Sequence, residues 1–164
     1  MKHRVFFSFE YNKDNWRAGQ VRNMGKVDGC STFSDNDWEE VKRKTDSEIR
    51  KWIDEQLKQR SCIVVLIGST TSTREWVKYE IEKAYELGKG IVGIYIHGLK
   101  DKYGSQSSKG SNPFYNIYTD QGHRLSNYVV DYDTPYQTSS YVYDDIKEKI
   151  EGLIQDAIDN AGKY

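Results

Sequence analysis

The run Cys62-Ile63-Val64-Val65-Leu66-Ile67 constrains this chain more than any other stretch, because six apolar residues follow one another with no polar alternation. A strand with one face in water alternates apolar and polar residues, so an unbroken run predicts a strand covered on both faces by helices. A second such run, Gly90-Ile91-Val92-Gly93-Ile94-Tyr95-Ile96, follows after a stretch of helical spacing. Strands alternating with helices imply βαβ crossovers, hence a parallel sheet in doubly wound order with helices on both faces. Ligands in such sheets sit at the carboxyl ends of the strands.

The remaining elements fit around these two strands. Residues 4–9, RVFFSF, are β-branched and aromatic and lead into a polar stretch, as a first strand and its exit loop would. Residues 14–24 carry Trp16, Val21 and Met24 at weak helical spacing, interrupted by Gly19. Residues 30–33 read as a short strand, ended by the turn-rich 34–37 before Trp38. Thr45 and Glu48 form a capping-box pair ahead of Ile49, Trp52, Ile53 and Leu57, which predicts a helix to about Arg60. Ser72 and Glu75 suggest another capping box, for a helix that stops at Gly88, a residue suited to a left-handed cap. Residues 98–137 turn to Gly, Ser, Asn, Lys and Tyr, a long polar insertion or lid with one strand-like piece at 128–132. The chain closes on a helix whose stripe is Ile146, Ile150, Leu153, Ile154, Ala157 and Ile158. A chain of 164 residues fits one domain, 1–164.

Composition narrows the function classes. Formal net charge is −1 with both signs interspersed, so no basic field exists to drive nucleic-acid binding. The longest apolar run is far shorter than the roughly 20 residues that span a bilayer, and the basic start leads straight into a strand, which points to a cytoplasmic protein without a cleaved leader. Cys30 and Cys62 are too few and too separated for a disulfide framework and are expected to be free and inert. Neither GxxxxGK[ST] nor GxGxxG occurs, His3, His97 and His123 lack metal-ligand spacing, and Gly68-Ser69-Thr70 does not complete GxSxG. No protein-held metal or cofactor is expected.

What remains is the rim where residues 8–11, 34–38 and 69–80 should converge, a region rich in aromatic and acidic side chains. At about 100° per residue, Val77, Ile81 and Ala84 share one side of their helix, and Glu80 lies roughly 65° from its centre. Glu80 therefore borders the buried face. On this pattern alone the plainer reading is a boundary carboxylate with a partner such as Lys83. Phe9, Tyr11, Trp38 and Trp76 could form a stacking wall for a flat ring, with core packing as the alternative. Ser8, Ser34 and Asp35 could bond a ribose or diphosphate, although such residues more often cap turns. Without a glycine loop, phosphates would lean on backbone N–H groups and a nearby helix start.

The run Trp76-Val77-Lys78-Tyr79-Glu80-Ile81 resembles the WCxxE-type motif of TIR domains, with Glu80 matching the glutamate of the catalytic members. Together with RVFFSF (4–9), IVVLIGS (63–69), REWVKYE (74–80) and SKGSNPF (108–114), it is similar to the bacterial Thoeris antiviral TIR-like proteins. The likeness runs to about Phe114; residues 115–138 match nothing, and Val77 stands where many TIR domains have cysteine. The resemblance implies a flavodoxin-like (TIR-like) α/β fold and an enzyme that cleaves the nicotinamide–ribose bond of NAD+. Its product would be an ADP-ribose-derived nucleotide, cyclic in some members, that reaches a separate effector protein in antiphage defence. NAD+ is then substrate rather than cofactor, Glu80 the catalytic carboxylate, and assembly into a homo-oligomer a feature of activation. The alternative within the same family is a non-catalytic TIR-type protein–protein interaction module. A flavodoxin-like electron carrier finds no phosphate loop to hold its flavin.

Overall fold

A computed structural model describes residues 2–27 and 43–164. The strand expected at 30–33, with Cys30, Ser34, Asp35 and Trp38, lies outside the described residues. Among the described residues, four parallel strands form the sheet in the order β1 (Val5–Ser8), β2 (Cys62–Ile67), β3 (Gly90–Tyr95) and β4 (Asp131–Tyr132). β2 is central, pairing in register with β1 from Val5–Cys62 and with β3 from Cys62–Gly90. Every residue of β1, β2 and β3 is buried, as the uninterrupted apolar runs predict for a sheet covered on both faces. The strand-like piece at 128–132 contributes only two residues, paired with Gly93 and Ile94.

Among the described residues, two helix pairs cover the sheet. α1 (Tyr11–Arg22) touches α4 (Ser139–Asp159) on one face, and α2 (Asp46–Lys58) touches α3 (Glu75–Glu86) on the other. α2 begins as expected, with Thr45 Oγ1 accepting from the Glu48 N–H at 3.3 Å. α3 ends in the predicted left-handed cap: Gly88 has φ +69°, its N–H donates to Tyr85 O, and that of Lys89 donates to Ala84 O, each at 3.0 Å.

The start of α3 differs from expectation. Ser72 does not cap it, because Thr71–Thr73 coil into a 3-10 turn fixed by Gly68 N–H donating to Thr71 Oγ1 at 2.7 Å. The helix begins only at Glu75, with Arg74 as an N-cap that makes no side-chain cap bond. Trp16 also departs from its expected place: it is 57% exposed, and α1 buries Asp14, Arg17, Ala18 and Val21 instead. A salt-bridged pair occupies positions where an apolar stripe would be sought, which is why the helical pattern reads so weakly.

That pair fastens the polar insertion to α1. Arg17 Nη1 meets Asp14 Oδ1 at 3.0 Å, while Nε and Nη2 donate to Leu99 O and Ser105 O at 2.8 Å each. Burial pushes the Asp14 carboxyl above its ordinary range, against the pull of Arg17. Further along, Gly110 passes so close to Gly68 that a Cβ there would stand 2.1 Å from the Gly68 carbonyl oxygen. Residues 98–137 bury Leu99, Phe114, Ile117, Leu125 and Val129. The segment is packed against the sheet rather than hung from it. No helix among the described residues is long and apolar enough to cross a membrane.

Removing one member of a buried pair leaves the other charge uncompensated. Arg17→Met is therefore expected to lower stability by about 3–5 kcal/mol in denaturant titration; a loss below about 1 kcal/mol would show that the clamp does not hold the insertion.

Candidate active site

The carboxyl end of β1, the start of α1 and the facing sides of α2 and α3 enclose a cleft of about 480 Å³. Glu80 and Val77 of α3 line its depth. Phe9 and Tyr11 form one wall, with rings 6.3 Å apart at 27°, and Ile49, Trp52 and Ile53 of α2 form another. Trp76 closes the α3 side, edge-on to Tyr79 at 5.9 Å. The mouth carries Glu10, Asn12, Thr73, Arg74 and Glu75.

Glu80 is 4% exposed, and its one hydrogen bond among the described residues comes from Ser8, whose Oγ donates to Oε1 at 2.8 Å. Ser8 ends β1 and is fully buried, so its hydroxyl is spent on orienting the carboxyl rather than turned toward the cleft. Burial pushes Glu80 up to about 8, and the Ser8 bond pulls weakly the other way. At neutral pH the carboxyl therefore favours its protonated form. The Lys83 partnership suggested by helical spacing does not form: Lys83 pairs with Glu86 at 3.2 Å and Asp54 at 4.0 Å. Although positions i and i+3 are neighbours on a helix, about 60° apart, Glu80 turns inward and Lys83 turns toward α2.

Glu10 organises the mouth. It is buried, its carboxylate accepts from Thr70 Oγ1, and it forms an ion pair with Arg74. The turn after β2 and the start of α3 are thereby tied to the end of β1. Around the rim, the Arg22 guanidinium lies 5.6 Å from the Phe9 ring, and that of Arg50 lies 5.9 Å from both Trp76 and Tyr79. No group of His, Cys, Asp or Glu that could hold a metal ion is gathered among the described residues. Cys62 is buried in β2, and desolvation raises its thiol far above the ordinary range.

Five of the eight residues singled out in the sequence can be located. Ser8, Phe9, Tyr11, Trp76 and Glu80 meet here, Ser8 behind the carboxyl and the others on the lining. Ser34, Asp35 and Trp38 lie outside the described residues. Residues 98–137 contribute no lining side chain to this cleft. Sequence reasoning missed the α2 wall and the Glu10–Arg74 pair. The first was legible only as core spacing, and the second joins residues 64 apart with no local signal. In chemical terms, the described lining offers a desolvated carboxyl with no ion-pair partner, Glu80, beside aromatic surfaces, a setting for a flat ring next to a centre that becomes positive.

Residues 6–101 match the family model described as Thoeris protein ThsB, TIR-like domain. A protein of Bacillus cereus (strain MSX-D12) named "Putative cyclic ADP-D-ribose synthase ThsB1" is 43% identical over 119 residues. The match covers 70% of this chain and spans 62% of that protein's length. A solved phosphoheptose isomerase from Francisella tularensis superposes with a TM-score of 0.48 at 11% identity, over 96% of this chain and 76% of that one, a likeness too slight to bear on function.

The buried carboxyl has a stability signature. A group at 4.5 when unfolded and about 8 when folded keeps its proton longer in the native state. Its contribution is full below 4.5 and is lost as pH rises to 8. Thermal unfolding from pH 5 to 9 is expected to show wild-type stability declining relative to Glu80→Gln, the variant being at least as stable at pH 9. Parallel profiles would place Glu80 in water.

Proposed function

Since the chain belongs to the Thoeris ThsB TIR-like domain family, we propose that it is an enzyme that cleaves the nicotinamide–ribose bond of NAD+ and yields an ADP-ribose-derived, cyclic signalling nucleotide. The observation that carries this reading is the Glu80 carboxyl, buried in the depth of an aromatic cleft and held by Ser8. Nicotinamide leaves as a neutral base, so the reaction needs no strong general acid; its barrier lies in the oxocarbenium-like ribose that develops positive charge. A carboxylate in a low-dielectric setting stabilises that charge far better than one in water.

A mostly protonated Glu80 suits this chemistry. An anion alone in the cleft is disfavoured, but the cationic nicotinamide–ribose half of NAD+ restores the balance and lowers the group's proton affinity. The proton leaves to solvent, and the carboxylate appears only where a positive partner is present. Phe9, Tyr11 and Trp76 offer the faces against which the nicotinamide ring is held. Cyclisation further requires that the adenosine end fold back toward the ribose and that water be kept out, so that an internal nucleophile takes its place. The product would then act on a separate effector in antiphage defence.

Two measurements test the proposal. Chromatography of NAD+ incubated with the protein, alone and in its assembled or infection-triggered state, should reveal free nicotinamide. Glu80→Gln should slow its release by about 10²–10³. A variant that retained full turnover would remove Glu80 from the mechanism, and a triggered wild type releasing no nicotinamide would leave an interaction module. In the active form, kcat/KM should climb about tenfold per pH unit and level off above about 8, the free-enzyme value for Glu80. A flat profile from pH 6 to 9 would contradict the assigned protonation state.

A further inference from the structure

Among the described residues that line the Glu80 cleft, Arg74 is the only cation. It also lines a second groove of about 560 Å³, bounded by the start of α3 and by Asn112, Pro113, Tyr115 and Asn116 of the polar insertion. Thr73, Arg74 and Val77 belong to both, so Arg74 stands on the ridge between them. Its side chain is 51% exposed, yet it is not free to wander, because the buried Glu10 holds Nη2. The donors on Nε and Nη1 have no protein partner among the described residues. Glu10 in turn is fixed by Thr70 on the loop after β2. A guanidinium anchored at one nitrogen with its remaining donors open is pre-oriented for an oxyanion, and its planar fork matches phosphate oxygens. The first-turn amides of α3 start beside it, with no side-chain cap to occupy them.

We infer that Arg74 forms the diphosphate subsite of this cleft: a dinucleotide whose reacting ribose lies at Glu80 passes its two phosphates over the ridge that Arg74 occupies. The inference rests on the reading of the cleft as an NAD+ site. It adds a residue and a direction to that reading, the ligand running out of the cleft past α3 toward the groove under the insertion. Glu10 acts as a positioning residue, since it holds Arg74 and leaves the guanidinium face open. The acidic neighbour Glu75 keeps the mouth from being a general anion trap, so recognition depends on a ligand that also fills the cleft.

Calorimetric titration with ADP-ribose, which carries the diphosphate, and with nicotinamide riboside, which carries none, tests this. Arg74→Gln retains a donor for Glu10 and removes the charge, and Arg74→Lys retains the charge without the fork; circular dichroism and unfolding midpoints establish that both are folded. Expected is a loss on the order of tenfold or more in ADP-ribose affinity for Arg74→Gln, a smaller loss for Arg74→Lys, and unchanged affinity for nicotinamide riboside in both. Equal ADP-ribose affinity in wild type and Arg74→Gln overturns the subsite while leaving the Glu80 assignment standing. Equal losses for both ligands also overturn it, since that pattern reports a deformed cleft. A wild type that binds neither ligand overturns the NAD+ reading together with the subsite.

Discussion

A buried carboxyl group whose one hydrogen-bond partner among the described residues is the Ser8 hydroxyl is the constraint on which the rest of this structure turns. Ionised, it would carry a desolvation cost that one hydrogen bond from Ser8 cannot offset. Burial therefore favours its protonated form, raising it to about 8. Folding proteins seldom leave such a group buried without a structural return, and among the described residues neither a salt bridge nor a cluster of metal-ligating side chains supplies one. In the proposed function, the counter-charge is supplied by the cationic half of the ligand.

The fold makes this possible by joining two elements distant in sequence. β1 ends at Ser8, α3 carries Glu80 in its second turn, and the central strand β2 sets their separation by pairing with β1 in fixed register. Glu10, two residues past Ser8, then reaches the turn after β2 and the start of α3 through Thr70 and Arg74. Polar ties thus fasten the end of β1 to α3 both behind the carboxyl and at the cleft mouth. On the other face the Asp14–Arg17 pair anchors the insertion, so its irregular backbone is held by arginine donors where sheet hydrogen bonds are lacking.

Much of this was legible in the sequence, and the limits have physical causes. The unbroken apolar runs of β2 and β3 announced a buried parallel sheet, and Thr45 and Gly88 marked helix ends by chemistry local to a few residues. Glu80 drew notice because helical periodicity placed it beside the buried face. Its partner was misjudged, since spacing along one helix favours Lys83 and is blind to Ser8, 72 positions away. The same blindness hid Glu10–Arg74. Ser72 looked like a cap because Ser-x-x-Glu fits the motif, but Thr71 wins the local competition by accepting from Gly68 and drawing the turn one step tighter. α1 was faint because the paired Asp14 and Arg17 share its buried face with Ala18 and Val21.

The account stands or falls on the charge of Glu80 before and after a cationic ligand arrives. Titration of the 13C-labelled Glu80 carboxyl by NMR, in the free protein and with saturating nicotinamide riboside, measures it directly. The expected midpoint is about 8 in the free protein, moving downward when the positive ring is bound. A midpoint in the ordinary carboxylate range, unmoved by the ligand, would contradict the central claim.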